Sequence, residues 1–201
     1  MDVKKLLLGT NNLGKVEEME DLLKHLEIIL LTPAKLNLEM EVHEDGKTYA
    51  DNATLKAEAY SKASRIPCLA DDSGLEVDAL NGQPGLHSHR FAPQPGATDS
   101  DRRIFLLRKL EGKPRPWLAR FHATIALSHP DGRLWIASGS CSGEIIPEER
   151  GSNGFGYDPI FFFPQLGHTM AELDMDEKNR ISHRANAMRT AESSIRYLLD
   201  L

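Results

Sequence analysis

The chain is poor in the features that mark secreted, membrane and zinc-binding proteins. It has 2 cysteines in 201 residues, and Cys68 and Cys141 lie far apart and outside any C-x-x-C pair, so we expect reduced thiols and no disulfide framework or zinc site. The apolar run that begins at Leu6 is broken at Gly9, which is too early for a signal sequence or a membrane span. The sequence therefore predicts a protein that stays in the cytoplasm and makes no contact with a membrane.

Basic charge is also scarce. The formal net charge is -6, and there is neither a Lys/Arg run nor a basic stripe interleaved with aromatic residues. Duplex nucleic acid is therefore not an expected partner, although local cations can still bind a small anion. The length suits one α/β domain over residues 1–201 and is too short for two typical domains joined by a linker.

Apolar periodicity predicts an alternation of strands and helices. Helical spacing predicts helices over residues 14–27, 51–63 and 98–110, and from an N-cap at Ser182 towards the C-terminus. Short apolar runs predict strands over residues 6–8, 28–31, 66–70, 75–79, 121–127, 134–137 and 160–163. The fourth of these strands is expected to be half-exposed and to follow a loop at residues 71–74.

The first strand runs into its helix through residues 9–15, a glycine-containing loop of the kind that binds a phosphate chain. The spacing almost spells a P-loop, but Val16 stands where a P-loop has the Ser or Thr that holds magnesium. Lys15 falls in the first helical turn, where its charge opposes the helix dipole unless an anion compensates it. The alternative is an ordinary strand-to-helix turn.

Asp71 and Asp72 follow a short strand and are the best candidates to hold magnesium, because this hard cation prefers carboxylate oxygens. Neighbouring residues of a strand point to opposite faces, so only one of the two is expected to face a ligand while the other supports the loop. The alternative is a pair of turn caps.

Two further segments carry unusual residues. His183 and Arg184 follow the proposed N-cap, where cations are disfavoured, so an acceptor should compensate them. A ligand carbonyl can fill that role for these residues and for Lys178, while an exposed polar face is the alternative. Phe155 and Tyr157 lie in a glycine-rich loop and are either core aromatics or a platform on which a base stacks.

Taken together, these segments resemble the inosine/xanthosine triphosphate pyrophosphatase family over nearly the whole chain. The resemblance rests on residues 10–15, 70–75 and 154–159 and on Lys178 with residues 182–184. It implies an α/β fold with a long mixed sheet flanked by helices, two lobes around a central substrate cleft, and a homodimer. It also implies Mg²⁺-dependent hydrolysis of dITP, ITP and XTP or dXTP to the nucleoside monophosphate and pyrophosphate, which keeps deaminated bases out of DNA and RNA.

The resemblance also implies roles for individual residues. Asp72 would be the proton acceptor and a metal ligand, with Glu44 as the second metal ligand. Contacts to the phosphates would come from Thr10, Asn11, Asn12, Leu13, Gly14, Lys15 and Lys56. Contacts to the base would come from Phe155, Tyr157, Asp158, Lys178, His183 and Arg184. Ser73 would lie beside the substrate, and Gly156 would also bind the substrate. Among these, Phe155 would stack on the base, and His183 and Arg184 would meet the purine 6-oxo group.

Two other functions compete with this one. A P-loop kinase is disfavoured by Val16 and by the lack of a downstream apolar run ending in Asp at the expected distance. A nucleotide sensor would bind without turnover, and release of pyrophosphate from ITP with magnesium separates it from an enzyme.

Overall fold

The computed structural model describes residues 3–201, and its centre is one mixed sheet of seven strands in the order β2-β1-β3-β4-β5-β6-β7. The strands are β1 Lys5–Leu8, β2 Ile29–Leu31, β3 Cys68–Val77, β4 Trp117–Ser128, β5 Leu134–Ile145, β6 Phe161–Phe163 and β7 His168–Thr169. β1 pairs in parallel with both β2 and β3, whereas β6 pairs antiparallel with both β5 and β7. The mixed sheet implied by the resemblance is thereby confirmed.

Five helices accompany the sheet among the described residues, with short 3-10 turns between them. They are α1 Leu13–Leu23, α2 Tyr49–Ser64, α3 Asp99–Leu110, α4 Met175–Ile181 and α5 His183–Leu199. Capping boxes define the starts of α2 and α3, because Thr48 and Thr98 each exchange hydrogen bonds with an aspartate three residues later. No helix within residues 3–201 is long and apolar enough to cross a membrane.

The chain divides into two compact units. The first comprises the segment up to Asp72 with Ala123–Gly139 and Arg184–Leu201. Its core is built by the apolar faces of α1 and α5 packed on β1, with Met19, Leu8 and Ile195 fully buried. A smaller cluster places Ala53 and Ala57 of α2 against Ala70 and Ala126, where only short side chains fit.

The second unit comprises Ser73–His122 and Ser140–His183. Its core gathers Leu106 and Leu110 of α3 with Val77, Phe121 and Phe161. Phe121 and Phe161 pack with ring centroids 4.6 Å apart, which adds aromatic contact to the buried apolar area.

Most predicted elements are confirmed, with two corrections. The predicted loop at residues 71–74 is wrong, because β3 runs without a break from Cys68 to Val77. Extended backbone is possible there because the buried carboxylates of Asp71 and Asp72 find cationic partners, so they need not reach solvent in a loop. The second correction is α4, a separate helix before Ser182 that the sequence pattern did not predict. α5 does begin at His183, directly after the predicted N-cap.

Candidate functional site

The loop between β1 and α1 packs tightly at Gly9 against neighbouring side chains. A Cβ atom on Gly9 would lie 2.9 Å from Cys68 Sγ and 3.2 Å from the Tyr60 ring, so a larger residue would displace the loop. Asn12 is the N-cap of α1, and its side chain accepts a hydrogen bond of 3.1 Å from the backbone N–H of Lys15. No acidic residue occupies the first turn, so the positive end of the helix dipole stays available to an anion.

Residues 10–15 surround the N-terminus of α1. Thr10 accepts the backbone N–H of Asn12 at 3.2 Å, Asn11 is exposed, and Leu13 is 82% exposed. The side chain of Leu13 makes little packing contact, so its contribution to the site is its backbone. The geometry of the loop is that of an anion site built from main-chain groups.

The ammonium group of Lys15 lies 3.0 Å from Asp71 Oδ1, and its side chain is only 14% exposed. Burial, the largest effect, lowers the pKa of Lys15, and the nearby Lys56 ammonium adds to this while Asp71 opposes it. A desolvated ammonium gains more from an incoming polyanion than a solvated one does, because the local dielectric is low. Lys15 and Lys56 therefore form a pair of cations suited to phosphates.

Asp71 is also bound by Arg184, whose Nε and Nη2 donate to Asp71 Oδ2 at 3.1 and 2.9 Å. The third donor, Nη1 of Arg184, binds Glu18 of α1, and the guanidinium is 1% exposed. Burial alone would raise the pKa of Asp71, but Lys15 and Arg184 outweigh it and hold that pKa well below its usual range. Asp71 is a permanently ionised link between two buried cations.

Asp72 points to the other face of β3 and has different surroundings. Asn52 Nδ2 donates to Asp72 Oδ2 at 3.1 Å, and Lys56 Nζ lies 3.6 Å from Oδ1. Burial dominates here and raises the pKa of Asp72, although Lys56 and Lys15 act against it. Two adjacent carboxylates thus have pKa values shifted in opposite directions, an arrangement that separates a structural anion from a proton acceptor.

Glu44 lies on the same side as Asp72. Lys56 Nζ is 3.1 Å from Glu44 Oε2 and so bridges the two carboxylates that the sequence predicts as metal ligands. Carboxylates already paired with one cation form an oxygen donor set that fits a divalent ion. No cluster of three or more candidate ligands occurs within residues 3–201, but Mg²⁺ usually takes one or two carboxylates and completes its shell with phosphate oxygens and water.

Asn52 is a site residue that the sequence reasoning missed. Its side chain is buried, with Nδ2 on Asp72, while its Oδ1 accepts the backbone N–H of Gly46 at 2.9 Å. Gly46 belongs to the segment that carries Glu44, so one amide ties this segment to the Asp72 carboxylate. A polar residue facing inward in the otherwise alanine-rich start of α2 was the available signal.

In the second unit, residues 154–158 form a loop closed by Asp158. Asp158 Oδ2 accepts the backbone N–H of Phe155 at 3.0 Å and pairs with Lys178 Nζ of α4 at 2.5 Å. Lys178 Nζ also lies 5.4 Å from the centroid of the Phe155 ring, within the range of a cation–π contact. Gly154 has a φ of +72°, and a Cβ there would collide with Asp158 and Lys178.

Tyr157 and His183 are fixed in the same unit. The Tyr157 hydroxyl donates to the backbone carbonyl of Ser88 at 2.9 Å, and burial raises the pKa of this phenol. His183 stacks on Phe121 with ring centroids 4.7 Å apart and an angle of 12° between the planes. Ser73, on β3, is half-buried.

The predicted residues therefore fall into two sets. In the first unit the ion pairs form two groups: Lys56 pairs with Glu44 and Asp72, and Asp71 pairs with Lys15 and Arg184. In the second unit the structure links Phe155, Asp158 and Lys178 directly and holds Gly156, Tyr157 and His183 through other partners.

Comparison with known proteins agrees with these features. A dITP/XTP pyrophosphatase of Desulforamulus reducens is 48% identical over 188 residues and covers 93% of this chain and 93% of its own length. One of Thermus thermophilus is 46% identical over 188 residues, covering 92% of this chain and 88% of its own. Among solved structures, a HAM1 protein of Coxiella burnetii superposes with a TM-score of 0.86 at 39% identity, covering 97% of this chain and all of its own. The model of the Ham1 family matches residues 6–193, and the chain therefore belongs to the Ham1 family.

Proposed function

We propose that this chain hydrolyses deaminated purine nucleoside triphosphates, namely dITP, ITP and XTP or dXTP, to the monophosphate and pyrophosphate. The observation that carries the proposal is the pair Asp71 and Asp72, whose pKa values shift in opposite directions beside two lysines. The relatives named above are dITP/XTP pyrophosphatases, which agrees with this chemistry. Such an activity removes damaged nucleotides before they enter DNA or RNA.

We assign the phosphates to the start of α1 and to Lys15 and Lys56. The backbone N–H groups of residues 10–15 and the two ammonium groups stabilise negative charge as the bond between the α and β phosphates breaks. Asp72 accepts the proton of the attacking water, for which its raised pKa suits it, and pyrophosphate leaves with the electron pair of the broken bond. Asp71 keeps Lys15 in place and takes no proton.

We assign a magnesium ion to Asp72 and Glu44, the two carboxylates that Lys56 bridges. When bound, the ion neutralises charge on the leaving pyrophosphate and acidifies a bound water. Asn52 binds Oδ2 of Asp72 while Lys56 lies near Oδ1, and the bond of Asn52 to Gly46 keeps the segment of Glu44 close to α2.

We assign the nucleoside to the residues of the second unit. Phe155 offers a ring for stacking, Asp158 and Lys178 offer an acceptor and a donor, and His183, held flat against Phe121, offers an imidazole to the 6-oxo group. Ser73, Gly156 and Tyr157 complete this proposed set. A hydrogen-bond donor facing the 6-position suits the 6-oxo group of hypoxanthine and xanthine. The 6-amino group of adenine is itself a donor, so adenine is disfavoured.

Pyrophosphate release tests the function. We expect the purified protein to release pyrophosphate and monophosphate from ITP, dITP and XTP with Mg²⁺, to act far less on ATP, and to lose this activity with EDTA. The Asp72→Asn variant is the matched control for contaminating enzymes. Release of inorganic phosphate alone, or nucleotide binding without turnover, would contradict the proposal and favour the kinase-like or sensor function.

We also propose a homodimer, which rests on the family resemblance. Light scattering should give a mass of about two chains, in contrast to the 22.4 kDa of one chain. The measurement is made over a range of concentrations, because association depends on concentration. A single-chain mass throughout that range would refute the dimer.

A further inference from the structure

The backbone N–H and carbonyl of Gly156 are both bound by side chains from the first two turns of α3. Its N–H donates to Asp99 Oδ2 at 2.8 Å, and its carbonyl accepts from Arg103 Nη1 at 2.8 Å. Gly156 lies between Phe155 and Tyr157, 57 residues away from Asp99 along the chain. We call Asp99 and Arg103 the helix-3 clamp.

The side chains of Asp99 and Arg103 are each oriented by further hydrogen bonds. Arg103 uses Nε and Nη2 for a bidentate pair with Glu149 at 2.8 and 2.9 Å, which leaves Nη1 directed at Gly156. The second carboxylate oxygen of Asp99 binds Arg102, and Arg102 is anchored on the backbone carbonyl of Ala97 at 2.7 Å. Asp99 is therefore oriented by its own helix, and Arg103 is oriented by Glu149, seven residues before Gly156 in the same connecting segment.

The loop at residues 154–158 needs external contacts to hold one conformation. Gly154 and Gly156 flank Phe155 with φ values of +72° and +63°, and glycine has many other conformations open to it. The bonds of Asp158 fix the N-terminal side of the loop, at the N–H of Phe155. The helix-3 clamp fixes the following peptide, so the orientation of the Phe155 ring depends on both. Burial alone would raise the pKa of Asp99, but the Gly156 N–H and Arg102 outweigh it, and the carboxylate stays ionised.

We propose that Asp99 and Arg103 are specificity-determining positioning residues, which fix the Gly156 peptide and thereby hold Phe155 and the Asp158–Lys178 pair in the geometry that selects the base. The proposal rests on the assignment of these residues to the nucleoside. Asp99 and Arg103 act through the loop and do not touch the substrate. Loosening the clamp should therefore weaken discrimination between bases and leave the chemistry at the phosphates almost intact.

The test compares Arg103→Ala with Arg108→Ala, an exposed arginine of the same helix. For Arg103→Ala we expect KM for ITP to rise about tenfold, kcat to change by less than about threefold, and the ITP-to-ATP ratio of kcat/KM to fall about tenfold, because one charge-assisted bond is lost. Arg108→Ala should match the wild type. Arg103→Lys can still reach the Gly156 carbonyl with one donor and should recover most of the selectivity, and it covers the case in which the alanine variant folds poorly.

Calorimetry with IMP and AMP, without metal, gives a readout independent of turnover. The wild type should bind IMP more tightly than AMP, and Arg103→Ala should reduce this preference about tenfold. If Arg103→Ala lowers only the melting temperature and leaves both selectivity ratios at their wild-type values, the clamp is merely structural and the proposal is wrong. If the wild type releases no pyrophosphate, the proposed function fails, while the IMP-to-AMP preference still decides for or against the clamp.

Discussion

Asp72→Asn is expected to lower kcat for ITP by about 10²–10⁴-fold, which is the usual contribution of a positioned acid or base. The substitution keeps the shape of the side chain but removes the proposed proton acceptor and one charge from the proposed metal pair. Pyrophosphate release under saturating ITP and Mg²⁺ measures it. Asp71→Asn is the matched control, because it makes the same change one residue away on the other face of β3.

The Asp72→Asn variant should be at least as stable as the wild type. The raised pKa of Asp72 means that its ionised form is disfavoured in the folded protein, so a neutral amide relieves this cost at neutral pH. Thermal unfolding without metal should show an unchanged or higher melting temperature. For Asp71→Asn we expect the reverse, a loss of stability, since Lys15 and Arg184 lose their shared anion. If turnover depends on Asp71 and not on Asp72, the assignment of the proton acceptor is wrong.

Arg184→Ala should lower the free energy of unfolding by about 3–5 kcal/mol, because removing one partner of a buried ion network leaves the others uncompensated. Here Glu18 and Asp71, both buried, lose Arg184, and Asp71 keeps its pair with Lys15. Urea unfolding followed by circular dichroism measures the loss. The control is Arg196→Ala on the same helix, whose exposed pair with Glu192 at 3.0 Å is worth at most about 1 kcal/mol.

Equal losses of unfolding free energy in Arg184→Ala and Arg196→Ala would show that the Glu18–Arg184–Asp71 network contributes no more stability than a surface pair.

The kinetics of folded Arg184→Ala distinguish two possible roles of this residue. Contact with the 6-oxo group, which the resemblance implies, predicts a loss for ITP much larger than the loss for ATP. Action through Asp71 on Lys15 predicts equal losses for both, since phosphates carry no information about the base.

The sequence predicted the strand, loop and helix start at the proposed phosphate site, because a strand, a glycine and a helix start with a lysine are all local features. It also indicated that Asp71 and Asp72 would differ in role, since alternation along a strand is a local rule. The reasoning that Lys15 and Arg184 need an anion at their helix starts was sound. The anion for both is Asp71 of the protein itself, which the pattern could not reveal because it lies 56 and 113 residues away.

The residues that orient the site were harder to predict. Asn52 reaches Asp72 across 20 residues, and Arg103 reaches Gly156 across 53. On the sequence, the face of α3 that carries Arg103 looks like an ordinary solvated charged face, and only the tertiary fold distinguishes it from Arg108. The continuous β3 was missed for a similar reason, since the cations that allow aspartates inside a buried strand come from other elements.

The two cysteines give the fold a property unrelated to catalysis. Cys68 lies in the first unit beneath the packed Gly9, and Cys141 lies in the second, half-buried on β5. Burial raises the pKa of both thiols, that of Cys141 to about 12, so almost no reactive thiolate exists at neutral pH. Alkylation of the fully buried Cys68 requires local opening of the first unit, whereas the half-buried Cys141 is protected mainly by its protonated state. The alkylation rate of Cys68 thus reports how often the first unit opens.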